Sequence, residues 1–95
     1  MEDLEITAIS TWTDPFLLNK GDKISISVKG TFLGTIKVQR WLAGYGETPA
    51  AENIGTIQEY TAPIEAIDDS AGVYYYRIGT DSTPAFSGTA YVHVT

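Results

Sequence analysis

Apolar and polar residues alternate through much of this chain, most regularly between Ile24 and Leu42. Ile24, Ile26 and Val28 interleave with Ser25, Ser27 and Lys29, and Ile36, Val38 and Arg40 interleave with Lys37, Gln39 and Trp41. A period of two gives each segment one apolar and one largely polar side, the pattern of a half-buried antiparallel strand, and neither run has helix spacing. The predicted strands cover residues 23–30 and 35–42. Gly30 and Gly34 bracket the residues between them, so a turn or bulge there is expected to pair the two runs with each other. An apolar sheet face does not stay open to water, so the remaining segments must cover it.

Before these strands, Leu4, Ile6 and Ala8 alternate with Glu5 and Thr7, which predicts a first strand over residues 3–11, its edge guarded by Glu2, Asp3 and Glu5. Asp14-Pro15 is a turn signal, Phe16 and Leu18 suit a short strand, and residues 19–22 read as another turn. The pattern lapses through residues 43–53, then returns at Ile54, Ile57 and Tyr60 as a short strand or bulge. Ile64 and Ala66 alternate with Glu65 and Ile67. Residues 68–72 read as a turn, or as one helical turn capped by an aspartate. The strand from Val73 to Gly79 places Val73, Tyr75 and Arg77 on one side and Tyr74, Tyr76 and Ile78 on the other, and aromatics on both faces suit a central position. A turn over residues 81–84 precedes a last strand, residues 88–95. Twelve threonines fit pleated surfaces better than helices. The reading is all-β: a single antiparallel β-sandwich domain spanning residues 1–95, immunoglobulin-like or fibronectin-like in course, with a small barrel as the alternative. Residues 1–12 form an edge strand or an interface arm.

Composition narrows the function classes. Ninety-five residues make one domain with an expected radius of gyration of about 12–13 Å, which leaves little depth for an enclosed active site. Cysteine is absent, so no disulfide or thiolate metal site is available. Acids stand where a secretory signal carries bases, and no apolar run reaches transmembrane length, so the chain is expected to be soluble, synthesised in a reducing cytoplasm, with no membrane insertion. The net charge of −6 argues against a nucleic-acid backbone as partner. Residues 20–40 nevertheless hold Lys20, Lys23, Lys29, Lys37 and Arg40 against Asp22, whereas residues 41–69 hold six acids and no base. This asymmetry serves solubility or complementarity between neighbouring subunits.

Catalytic signals are sparse. His93, the single histidine, acts as a base only if a carboxylate orients it and another group supplies a nucleophile. No recognised catalytic motif stands beside it, so the chain is expected not to be an enzyme and to use no cofactor. Asp68 and Asp69 fit a solvated turn better than a weak cation site shared with Glu65 or Asp81, because calcium needs six to eight oxygens. Arg40 and Arg77 are expected to anchor neighbouring strands through Glu59 or Glu65. The aromatics offer more. Trp41, Tyr74, Tyr76 and Tyr91 would line one face, with Trp12, Tyr45 and Tyr60 in loops or short strands. Core filling or subunit contact is the ordinary use of such rings; a row stacking on sugar rings is the alternative. The candidate interface or glycan contacts are therefore Trp12, Trp41, Tyr45, Tyr74, Tyr76 and Tyr91.

Two resemblances add to this reading. Asp69-Ser70-Ala71-Gly72-Val73-Tyr74-Tyr75 resembles the turn and strand before the second cysteine of immunoglobulin variable domains, which implies a sandwich and a tyrosine-corner role for Tyr74. More broadly, Gly34-Thr35-Ile36-Lys37-Val38-Gln39-Arg40, Tyr60-Thr61, Tyr76-Arg77 and Ser87-Gly88-Thr89 resemble the recurring strands of small β-rich structural proteins of tailed-bacteriophage virions. Lys29 interrupts the family's first Ser-Gly-Thr segment, and residues 44–53 lack its loop tryptophan, whose packing role falls to Ile54. The resemblance implies a noncatalytic virion protein at the capsid surface, a decoration protein or head projection. It also implies a major capsid or other virion protein as partner and a homo-oligomer, with a trimer suited to threefold lattice positions. A tail-associated or carbohydrate-binding module that attaches to a host glycan is the alternative.

Overall fold

The two regular runs do not pair with each other. In the computed structural model, which describes residues 2–70, 72–82 and 85–95 with the side chains of residues 2 and 68 left out, they lie in opposite sheets. The strands are β1 (Glu2–Ile6), β2 (Phe16–Leu18), β3 (Lys23–Leu33), β4 (Ile36–Leu42), β5 (Gly55–Tyr60), β6 (Ile64–Asp69), β7 (Tyr74–Gly79) and β8 (Ser87–Val94). One sheet has the order β1-β8-β3-β6 and the other β2-β7-β4-β5, with every pairing antiparallel. The sheets pack face to face as a sandwich and do not close into a barrel.

Face-to-face stacking satisfies β3 and β4 better than side-by-side pairing. Ile24, Ile26, Val28 and Phe32 of β3 and Ile36 and Val38 of β4 all enter one core. Two consecutive strands with apolar faces bury both faces at once by folding across Gly34 into opposing layers. Gly34 sits at φ 131°, where a side chain is strained, and a Cβ there would lie 2.8 Å from the Phe86 ring and 2.9 Å from the Ala85 carbonyl. Gly30 makes no break. It stays in the ladder opposite Ala90, so β3 runs on to Leu33 opposite Ser87.

The first strand is also shorter than its alternation suggests. β1 ends at Ile6, and the chain crosses to the other sheet, where Trp12 makes an isolated bridge to Gly79. From there it follows β7 to the Phe16↔Tyr76 pair, so four steps along this edge match three along β7. Asp14-Pro15 therefore marks a one-residue bulge in an edge strand, and not a turn. β5 carries a second irregularity: the partners of Val38 and Gln39 are Gln58 and Thr56, which skips Ile57 and lets it pack against the core. The short-strand and bulge readings of that segment both hold.

β7 lies between β2 and β4, as its two aromatic faces suggest. β8 departs from the immunoglobulin order. There the last strand joins the sheet of its predecessor, whereas here it inserts between β1 and β3. The expected turn over residues 68–72 starts later than its acids suggest: Asp68 and Asp69 still pair with Ile24 and Lys23 as the end of β6, Ala71 lies outside the described residues, and Ser70 is buried and donates its hydroxyl to the Gly72 carbonyl at 2.6 Å. Thr83 and Pro84 of the last expected turn likewise lie outside them. The radius of gyration is 12.6 Å.

Candidate functional site

Strand parity decides which side chains meet on the outside of the second sheet. On β4 the inward positions are Ile36 and Val38, so Lys37, Gln39 and Trp41 face outward. On β7, Tyr75 and Arg77 share that face. The ladder then sets two rows, Leu17–Tyr75–Trp41 and Arg77–Gln39–Thr56. Trp41 and Tyr75 stack with ring centroids 6.0 Å apart. The Trp41 indole N–H donates to the Gly46 carbonyl at 2.7 Å, and Trp41 is only 2% exposed. That bond fixes the first part of the 43–54 connection, which holds two short 3₁₀ turns, Ala43–Tyr45 and Ala51–Asn53.

Arg77 is the centre of the face. Its Nε and Nη2 both donate to Gln39 Oε1, at 2.9 and 2.7 Å, while Gln39 Nε2 donates to Thr56 Oγ1 at 3.1 Å. Only this orientation of the amide works, because a guanidinium has no acceptor to offer. The guanidinium carbon lies 4.0 Å from the Trp12 ring centroid and 5.9 Å from that of Trp41, within cation–π range of both. Burial lowers the Arg77 pKa from its ordinary value, and the nearby charge of Asp81 opposes that shift. Lys37 continues the face, with Nζ 3.9 Å from Glu59 and 3.6 Å from Asp81.

Trp12 is held in place by threonines that the alternation pattern does not single out. Thr11 N–H donates to Thr80 Oγ1 at 3.1 Å, Thr80 Oγ1 donates to the Ala8 carbonyl at 2.8 Å, and Ile78 N–H donates to Thr13 Oγ1 at 3.0 Å. Thr13 and Thr80 are buried. Gly79 makes room for this crossing: a Cβ there would run into the Thr11 carbonyl and stand 2.7 Å from the Trp12 Cα.

The six candidate aromatics do not form one platform. Trp12 and Trp41 belong to the arginine cluster, and Tyr45 is 50% exposed on the adjoining loop. Tyr76 points inward, is 0% exposed, and stacks on Phe16 at 6.2 Å. Tyr74 meets Tyr76 edge-on and lies 4.5 Å beneath the Arg40 guanidinium carbon. Among the described residues its hydroxyl makes none of the backbone bonds of a tyrosine corner. Tyr91 faces outward from the other sheet and is 53% exposed. Opposite parity and opposite sheets therefore separate Trp41, Tyr74, Tyr76 and Tyr91. Tyr75, Gln39 and Thr56 complete the cluster and were not among the candidates. Acids do not anchor Arg77 either: Glu59 pairs with Lys37, and Glu65 pairs with Lys29 at 3.3 Å. Asp81 lies beyond the end of β7, beside Lys37, whereas Glu65, Asp68 and Asp69 belong to β6 of the first sheet, and among the described residues no group of three or more potential metal ligands gathers.

On the outer face of the first sheet, His93 Nδ1 pairs with Asp3 Oδ1 across β1 and β8. Ser27 is the next residue in the same row, so the three residue types of a hydrolase triad stand side by side. The row is open to water, with His93 and Asp3 side chains 54% and 79% exposed, and Ser27 makes no hydrogen bond to the imidazole among the described residues. The arrangement ties an edge strand to its neighbour. A separate cleft of about 230 Å³ opens between β2 and the first sheet, with Phe16, Leu18, Ile24 and Val94 in its wall and Lys23 at its side. Searches against protein-family models, curated proteins and solved structures find no match.

Proposed function

We propose that this chain is a noncatalytic structural component of a bacteriophage virion, seated on the capsid surface as a small homo-oligomer and acting through the outer face of the second sheet. The observation that carries the reading is the Trp12–Arg77–Gln39–Trp41 cluster. It is a guanidinium fixed by Gln39 between two indoles, Trp41 hydrogen-bonded to Gly46 and Trp12 stacked on the guanidinium, bordered by the exposed Leu17 and Tyr45. Tryptophan, tyrosine and arginine are the residues that dominate binding energy at protein interfaces, and a rigid cluster loses little conformational freedom on docking. The resemblance of Gly34–Arg40, Tyr76-Arg77 and Ser87–Thr89 to virion strands supplies the location. Sedimentation of purified capsids with the chain tests both parts. The Leu17→Glu variant, altered at a half-exposed position, is expected to lower occupancy by about tenfold or more; equal occupancy would reject this face.

A second reading is favoured by the exposed Tyr45 and the half-buried Tyr75 beside a polar amide: attachment to a host glycan by ring stacking. A glycan array probed with the assembled oligomer tests it. Binding lost in Tyr45→Ala would support the sugar reading, and no binding to any glycan would dismiss it.

A further inference from the structure

Among the described residues, β1 ladders onto β8 and packs its inward side chains into the core. It is the edge of its sheet, with a ladder that runs from Glu2↔Val94 to Ile6↔Ala90. Ile6 is fully buried, Leu4 packs against the core, and Asp3 pairs with His93. Immediately afterwards all four residues from Thr7 to Ser10 are exposed. Ser10, at φ 56°, is the one non-glycine among the described residues with a left-handed backbone. The strain has a local cause. Within a few residues the chain must leave the edge of one sheet and reach the other, where Ser10 N–H meets the Asp81 carbonyl at 3.2 Å.

We infer that β1 is an exchangeable arm: residues 2–6 of one copy leave their own β8 and take the same place on β8 of a second copy. The ladder partners of β1 lie on β8, and Leu4 and Ile6 join the core; none of these contacts requires both parts to belong to one chain. A second copy therefore satisfies the ladder, the Ile6 site and the Asp3–His93 pair identically. Extending the crossing segment releases Ser10 from the left-handed region. The sequence favours that extended form. Leu4, Ile6 and Ala8 keep the strand period past the end of β1, and neither glycine nor proline stands between Ile6 and Thr13. When the arm swings out, the strand extends past Ile6 toward Ile9 and gives up the Ser10 N–H bond to the Asp81 carbonyl and the Thr80 bond to the Ala8 carbonyl, while Thr11 and Thr13 keep their bonds to Thr80 and Ile78. A strained crossing between an edge strand and its domain is the setting in which such exchange arises. The inference concerns the homo-oligomer of the reading above and does not depend on its place in a virion.

Glu5 and Tyr91 are exposed cross-strand partners, and the chain has no cysteine of its own. A Glu5→Cys/Tyr91→Cys variant therefore records which β8 holds each arm, since cross-strand Cα spacings of about 4.5–5.5 Å fall in disulfide range. After oxidation, size-exclusion fractions are run on a non-reducing gel. Exchange gives covalently linked chains in the oligomer fraction. Adding Ser10→Pro, whose ring forbids φ 56°, is expected to raise the linked fraction at least about fivefold, and Ser10→Gly to lower it. Only intrachain disulfides, whether in a monomer or in an oligomer held by another surface, would overturn the inference. Should Ser10→Pro fail to fold, the cysteine pair with Ser10 retained decides the matter alone. Capsid occupancy is a separate readout, so failure of the exchange leaves the virion reading standing.

Discussion

Arg77 shows how a charged side chain becomes structural without an acid. Its fork converges on a single amide oxygen and its flat face covers an indole, two demands that an ammonium cannot meet together. Arg77→Lys is therefore expected to cost about 1–3 kcal/mol in urea unfolding and to shift Trp12 emission as the ring is uncovered. An unchanged midpoint would show the stack to be incidental. The sign of the Arg77 pKa shift also makes a claim. A depressed pKa means that burial disfavours the charged form, so this group's unfavourable contribution would be relieved only as pH rises through its folded pKa. Arginine stays charged far above neutrality, so Trp12 emission should be flat between about pH 6 and 9. The sequence marked Arg77 as a strand anchor but assigned it to acids, because opposite charge is visible in a sequence and a cross-strand amide is not. His93 has the reverse history: a carboxylate does orient it, yet the pair is wet. His93→Ala should change stability by less than about 1 kcal/mol and leave hydrolysis of a nitrophenyl ester at background, and a rate that depends on His93 would contradict the noncatalytic reading.

Between elements, alternation reveals which side of a strand is apolar but not which sheet the strand joins. β3 and β4 illustrate the gap. Their inward residues were readable from period two, whereas their separation into opposing layers depends on Gly34 and on β8 running the length of β3 as far as Leu33. β1 is readable only as far as Ile6, since nothing in Thr7–Ser10 announces the crossing before Trp12 reaches Gly79. Glycine positions test this account against simple tolerance of loops. Gly34→Ala places a side chain at φ 131° against Phe86 and Ala85 and is expected to cost at least about 1–3 kcal/mol. Gly44→Ala, with nothing within 4 Å of its Cβ, should stay within about 0.5 kcal/mol. Equal midpoints for the two variants would mean that the β3–β4 connection is not constrained as described.

For the whole molecule, composition and period were enough to predict a single sandwich, because β-branched and aromatic residues on half-buried strands leave few other ways to cover two apolar faces. The core bears this out, since Ile6, Ile36, Val38, Tyr76 and Ile78 are all 0% exposed. Ile78→Ala is accordingly expected to lose about 2–5 kcal/mol on chemical unfolding. The candidate site was less readable. It combines residues from three strands and the 7–13 crossing, and their meeting depends on a sheet order that no local pattern encodes. The proposed role requires the outer face of the second sheet to meet a neighbouring virion protein. High-resolution imaging of the intact particle measures that contact directly: the expected map places copies on the capsid with Leu17, Tyr45 and the Trp12–Arg77 stack against an adjacent subunit. A particle without this chain, or one that holds it with that face turned to solvent, would contradict the account.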